Sequence, residues 1–188
     1  MKARFVTKAA LSALALAFAG TLPGVAQQTA APAVDSVKAS AVEKVFIVKM
    51  ADIVQAGLKA GALDVKAVSG VLNEAVKADV SDRVMGAMVS MAAGAFPSSA
   101  PAVASAAVRS YGSNIREGHV RNVIASAVSS QSNPYASVAP ISEAVEKVLG
   151  NSPVAAAVSS IAVDVAAQTP DNPLSGETVQ GSGLASPD

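Results

Sequence analysis

The 188-residue sequence contains no cysteine and no tryptophan. Without cysteine there is no disulfide to staple a fold, no thiolate metal site and no thiol nucleophile. Aromatic residues make up only 3% of the chain, so large rings cannot dominate its core. The single histidine, His119, excludes the paired histidines of an H-E-x-x-H zinc site. Neither a Gly-x-Ser-x-Gly elbow nor a Ser-x-x-Lys pair occurs. No glycine-rich loop with a following lysine is present to cradle phosphate. Charge of one sign is missing too, since 14 basic residues balance 14 acidic ones.

What is abundant is small and aliphatic. Alanine and valine together exceed a third of the chain. Burial stabilises by roughly 25 cal/mol per Å² of apolar area, so each alanine contributes little. Many small contacts must replace a few large ones, and small side chains let helix axes approach closely.

The N-terminus reads as an export signal. Lys2, Arg4 and Lys8 precede an apolar stretch from Ala9 to Ala19. Pro23 breaks that stretch, and Gly24-Val25-Ala26 supplies small residues for cleavage after Ala26. The stretch is too short for a membrane anchor, which needs about 20 apolar residues. Residues 1–26 are therefore expected to be a signal peptide, and the chain a periplasmic or secreted bacterial protein. No stable transmembrane anchor is expected after cleavage. The absence of cysteine near the site excludes a bacterial lipoprotein. Removing the signal leaves eleven basic against fourteen acidic residues, a net charge of −3. A mildly acidic chain without clustered Lys and Arg is not expected to bind nucleic acid.

The rest divides into a flexible leader at 27–36, a single helical domain at 37–170 and a disordered tail at 171–188. The tail is rich in Pro, Gly and Ser, with little to bury. Ser40-Ala41-Val42-Glu43 forms a capping-box pattern opening a helix to about Ala60, which Gly61 stops. Asp64 caps a second helix over about 65–78. A third begins at Ser81 or Asp82 and ends at Phe96-Pro97. Ser98 or Ser99 caps a fourth, with Pro101 in its first turn and Tyr111-Gly112 at its end. Asn114-Ile115-Arg116-Glu117 resembles a second capping box and opens a fifth helix. Asn133-Pro134 breaks that one, Ser137 caps a sixth, and Ser152-Pro153 starts a seventh. Valine favours strands, yet apolar residues recur at a period of 3.6 and not 2.0. The expected fold is all-α: about seven short antiparallel helices in a compact bundle or short α-α repeat array.

An internal echo supports that class. Val84, Val89, Ser90, Ser98, Ala100 and Pro101 match Val123, Val128, Ser129, Ser137, Ala139 and Pro140, 39 positions on. Phe96 matches Tyr135. A repeat of this length is the sign of stacked helical hairpins. Only about two hairpins compare, which favours repeats that close on themselves over an open-ended solenoid.

Asn133-Pro134-Tyr135-Ala136, Ile141-Ser142-Glu143-Ala144-Val145, Asn151-Ser152-Pro153 and Ala155-Ala156-Ala157-Val158 carry a resemblance. Over about residues 84–168 the chain resembles secreted bacterial Ala-rich proteins of degenerate α-helical tandem repeats, a family of unknown function. The resemblance implies tandem antiparallel helices and export, and it implies no activity or cofactor.

The least repetitive stretch runs from Arg109 to Asn122. It holds three of the four arginines beyond the signal, the only histidine and one of two tyrosines. Arg109, Tyr111, Arg116, His119 and Arg121 are candidates for contacting an anion or a partner. The plainer alternative is an exposed helix start with a Glu117–Arg121 pair, and His119 at the edge of the core. The carboxylate pairs Asp79/Asp82 and Glu143/Glu146 read as solvating or capping charges before acid–base pairs. Met85, Met88 and Met91 read as core fill. Gly57 and Gly61, spelling G-x-x-x-G, read as close packing or a helix stop.

Neither a cofactor, a metal nor a catalytic residue is expected. The first functional expectation is an exported, non-enzymatic interaction or structural module that binds an unidentified protein partner or itself. A second is a carrier of a small apolar or anionic ligand, with a cavity at Met88, Met91 and Phe96. The remotest is an enzyme with an unfamiliar site near His119.

Overall fold

The computed structural model describes residues 39–169. The expected signal peptide, the leader at 27–36 and the tail at 171–188 lie outside them. The described residues form seven α-helices and no strand. They are α1 (Ala41–Ala60), α2 (Val65–Lys77), α3 (Asp82–Ala95), α4 (Ala100–Tyr111), α5 (Glu117–Ser129), α6 (Pro134–Leu149) and α7 (Val158–Ala167).

Most boundaries follow from local chemistry. The capping box forms: the Glu43 backbone N–H donates to Ser40 Oγ, and the Ser40 N–H donates to Glu43 Oε2. Gly61 ends α1 at φ +76°, a left-handed conformation that costs glycine nothing. Asp64 Oδ1 accepts from the Ala67 N–H and opens α2.

Three helix starts differ from expectation, and a fourth keeps its place without the expected side-chain cap. Asn114 lies in a 3-10 turn, Gly112–Asn114, and α5 begins only after Arg116. There the ring of His119 takes the capping role, its Nδ1 accepting from the Arg116 N–H at 3.2 Å. Asn133, and not Ser137, caps α6 through the Ala136 N–H. Pro134 therefore occupies the first turn and Pro140 falls inside the helix. Ser99 makes no side-chain cap, because a 3-10 turn at Pro97–Ser99 leads into α4. Ser152 Oγ accepts from Val154 N–H, but a 3-10 turn at Ala155–Ala157 delays α7 to Val158.

The neighbour order defines the architecture. The most extensive packing joins α4 with α6, α3 with α5, α2 with α4 and α1 with α3. Odd helices thus form one layer and even helices the other, with the core between them. The terminal helices α1 and α7 make no substantial contact with each other. This is a short α-α repeat array, and the expected closure of the repeats on themselves does not occur.

The 39-residue echo acquires a physical meaning in this array. Hydrogen bonds join successive members of a layer at nearly that spacing. Ser105 Oγ donates to Ala144 O across α4 and α6, 39 residues apart. Gln131 Nε2 donates to Ala93 O, 38 apart, and Ser90 Oγ to Ser126 O, 36 apart. Asn122 Nδ2 donates to Asp82 O, 40 apart. The Ser81 N–H and hydroxyl both donate to Glu43 Oε1, 38 apart. Two of the acceptors, Ala93 O and Ser126 O, are carbonyls in a last helical turn, where the backbone ladder of the helix runs out.

Small residues allow this approach. A Cβ on Gly86 would stand 2.7 Å from Ser126 Oγ and 3.0 Å from Asn122 Oδ1. A Cβ on Gly57 would stand 2.9 Å from the Phe96 ring. Gly57 is thus a packing residue and Gly61 a helix stop. Met85 and Met88 are fully buried, and Met91 packs partly buried against the core. The echo fails at the aromatic: Phe96 packs against the core, whereas Tyr135 is exposed.

No helix among the described residues is long and apolar enough to cross a membrane.

Candidate functional site

The segment from Arg109 to Asn122 runs from the end of α4 through the 3-10 turn into the first turns of α5. It distributes its five candidate residues over distinct environments. Tyr111 and His119 come together. Their rings stack with centroids 4.1 Å apart and an interplanar angle of 10°. The Tyr111 hydroxyl donates to Asp82 Oδ1 at 3.2 Å. Because His119 Nδ1 accepts a backbone N–H, the neutral ring carries its proton on Nε2. That nitrogen lies 3.6 Å from the same Asp82 oxygen, too long for a hydrogen bond. Burial, and then the Asp82 carboxylate, pushes the Tyr111 phenol well above its ordinary value.

Asp82 therefore ties the start of α3 to the end of α4 through Tyr111 and, through its backbone carbonyl and Asn122, to α5. From the sequence alone Asp82 reads as a solvating or capping charge. The clue was its offset of 37 to 40 residues from His119 and Asn122, which sits at the repeat spacing.

The arginines separate. Arg121 Nη2 donates to Asp164 Oδ2 of α7 at 2.8 Å, an exposed pair between neighbours in the odd layer. Arg116 is the exposed residue that precedes α5, and its backbone serves the cap. Arg109 is exposed in the last turn of α4, at the wall of a cleft.

That cleft has a volume of about 590 Å³. The loop after α4 and the loop after α6 form its two sides. Val108, Ile115, Val148, Leu149, Pro153 and Val154 give it apolar walls, and among the described residues Arg109 is the only charged one in its lining. Gly112 and Gly150 end the two helices with nearly the same backbone, φ +53°, ψ −130° and φ +52°, ψ −117°. L side chains rarely adopt that region, so both loops require glycine there. The expected cavity at Met88, Met91 and Phe96 does not coincide with this one. Apolar residues preceding two glycines 38 positions apart were its only trace in the sequence.

At the start of α1, Glu43 is held at about 2, down from 4.5, chiefly by the Ser81 hydroxyl and then by the Ser40 and Ser81 backbone N–H groups. Among the described residues, no group of three His, Cys, Asp or Glu side chains is placed to hold a metal ion.

No family model, curated protein or solved structure matches the chain. The fold defines its class: an all-α protein of stacked helical repeats.

Proposed function

We propose that the chain is an exported, non-enzymatic helical-repeat protein that serves as a protein-interaction or structural module, through a protein partner or self-association. One observation carries this reading. Hydrogen bonds at near-constant sequence spacing stitch α3 to α5 in one layer and α4 to α6 in the other, within a two-layer array. Such arrays present continuous outer faces built from successive repeats, a geometry suited to contacting another macromolecule. The basic n-region, apolar stretch and small-residue cleavage site support export. Asp82, Tyr111 and His119 act on one another as a structural stitch in this reading, not as a reaction centre.

The test is photo-crosslinking in the native host. A crosslinker replaces Val48 on the odd layer or Lys147 on the even layer, both exposed. The expected result is one reproducible adduct, with a partner or a second copy, from one layer only. No adduct from either layer, with monomeric sedimentation at high concentration, would reject the reading.

A further inference from the structure

We infer that the cleft between the loops after α4 and α6 binds a small amphipathic monoanion, an apolar chain carrying one carboxylate. The inference is independent of the interaction-module reading. Its volume, about 590 Å³, lies within the roughly 300–1,000 Å³ typical of small-molecule sites. Most of the lining is apolar, so an alkyl chain or ring is what the walls would desolvate favourably. The single charge fixes the sign of the head group. The Arg109 guanidinium makes no hydrogen bond or ion pair with any described residue. Arg121, by contrast, is already engaged by Asp164. An unengaged guanidinium beside apolar walls matches a carboxylate, which it can grip through two parallel N–H donors. The hydroxyls of Ser113 and Ser152, from the two facing loops, add polar groups to the same lining.

The cleft is built by the backbone, not left by a missing side chain. Gly112 and Gly150 turn the chain in nearly the same way at the ends of two stacked helices. The paired loops therefore repeat one geometry, and the space between them belongs to the repeat. An amphipathic cation is excluded by Arg109, and a polyanion lacks a second positive charge in the lining.

The test is titration of the full chain with hexanoate, octanoate and decanoate, all kept below their micelle thresholds. Calorimetry supplies affinity, and amide chemical shifts locate the site. Affinity is expected to rise about fourfold per methylene until the cleft is filled. The shifts are expected at Gly112, Ser113 and Ser152. Arg109→Gln should weaken decanoate at least about tenfold, while Arg121→Gln leaves it unchanged. Ser113→Trp, a change at an exposed loop position, should block the cleft without unfolding the chain, as checked by helical circular dichroism. Decyltrimethylammonium should bind at least about tenfold more weakly than decanoate. Absence of saturable decanoate binding would overturn the inference. So would equal binding of the cation, indifference to Arg109→Gln, or shifts mapping elsewhere.

Discussion

Replacing Gly86 by alanine tests the close approach of α3 and α5 directly. In an isolated helix the change is favourable, because alanine exceeds glycine in helix propensity by about 1 kcal/mol. Here the new Cβ would stand 2.7 Å from Ser126 Oγ and 3.0 Å from Asn122 Oδ1. Asn122 has little freedom to retreat, since its Nδ2 donates to Asp82 O at 2.7 Å. Overpacking of a fitted contact costs about 1–3 kcal/mol. With the propensity gain deducted, Gly86→Ala should fail to stabilise, and should cost up to about 2 kcal/mol. Gly70, in the middle of exposed α2 surface, is the internal control, as nothing lies within 4 Å of its added Cβ. Gly70→Ala should stabilise by about 0.5–1 kcal/mol. Urea unfolding followed by circular dichroism measures both, with an unchanged slope as the check on two-state behaviour. Ser126→Ala in the Gly86→Ala background removes the nearer clash and should recover part of the loss. If Gly86→Ala stabilises as Gly70→Ala does, the helices do not meet at this point and the account of the layer fails.

Two buried serines, Ser105 of α4 and Ser142 of α6, should behave oppositely. Ser142 Oγ is buried without a hydrogen-bond partner, so Ser142→Ala should stabilise by about 1 kcal/mol, whereas Ser105→Ala, which removes the bond to Ala144 O, should cost about 0.5–1.5 kcal/mol; the same urea titrations measure both. Glu43 gives an acid dependence. Its carboxyl is lowered from 4.5 to about 2 in the fold, so its contribution is present above pH 4.5 and is lost as pH falls towards 2. Glu43→Gln should remove that part of the acid-unfolding profile; an unchanged profile would refute the Ser81 linkage. Tyr111 gives the alkaline counterpart. Its phenol is raised above the ordinary 10.0, so the unfolded chain loses that proton first and stability falls as pH rises past 10.0. Tyr111→Phe should flatten thermal stability across that range, and persistence of the full decline would point to another group.

The fold class was legible because helix starts and stops are written locally. Ser40, Gly61, Asp64 and Gly112 act within a few residues of where they sit. The misplaced starts share a cause. At Asn114, Ser137 and Ser152 the sequence offers a second plausible cap or proline nearby, and packing decided between them. Asn133-Pro134 opens α6 instead of merely ending α5, so the equivalence of Pro101 and Pro140 in sequence is not an equivalence of position in the helix. Of the candidate site, only the pairing of Tyr111 with His119 lies within one segment. Its third member, Asp82, comes from a different helix.

The sequence by itself determined the small-residue, disulfide-free character of the chain, its helical periodicity and its approximate 39-residue spacing. Those properties depend on residue type and on neighbours within one or two turns. Tertiary structure decided that the helices stack in two open layers, that serines and glutamine bond across them, and that Arg109 and Arg121 have different surroundings. The physical reason is range. Capping and amphipathicity act over a few residues, while the stacking of α3 on α5 and α4 on α6 depends on which small side chains meet across nearly forty.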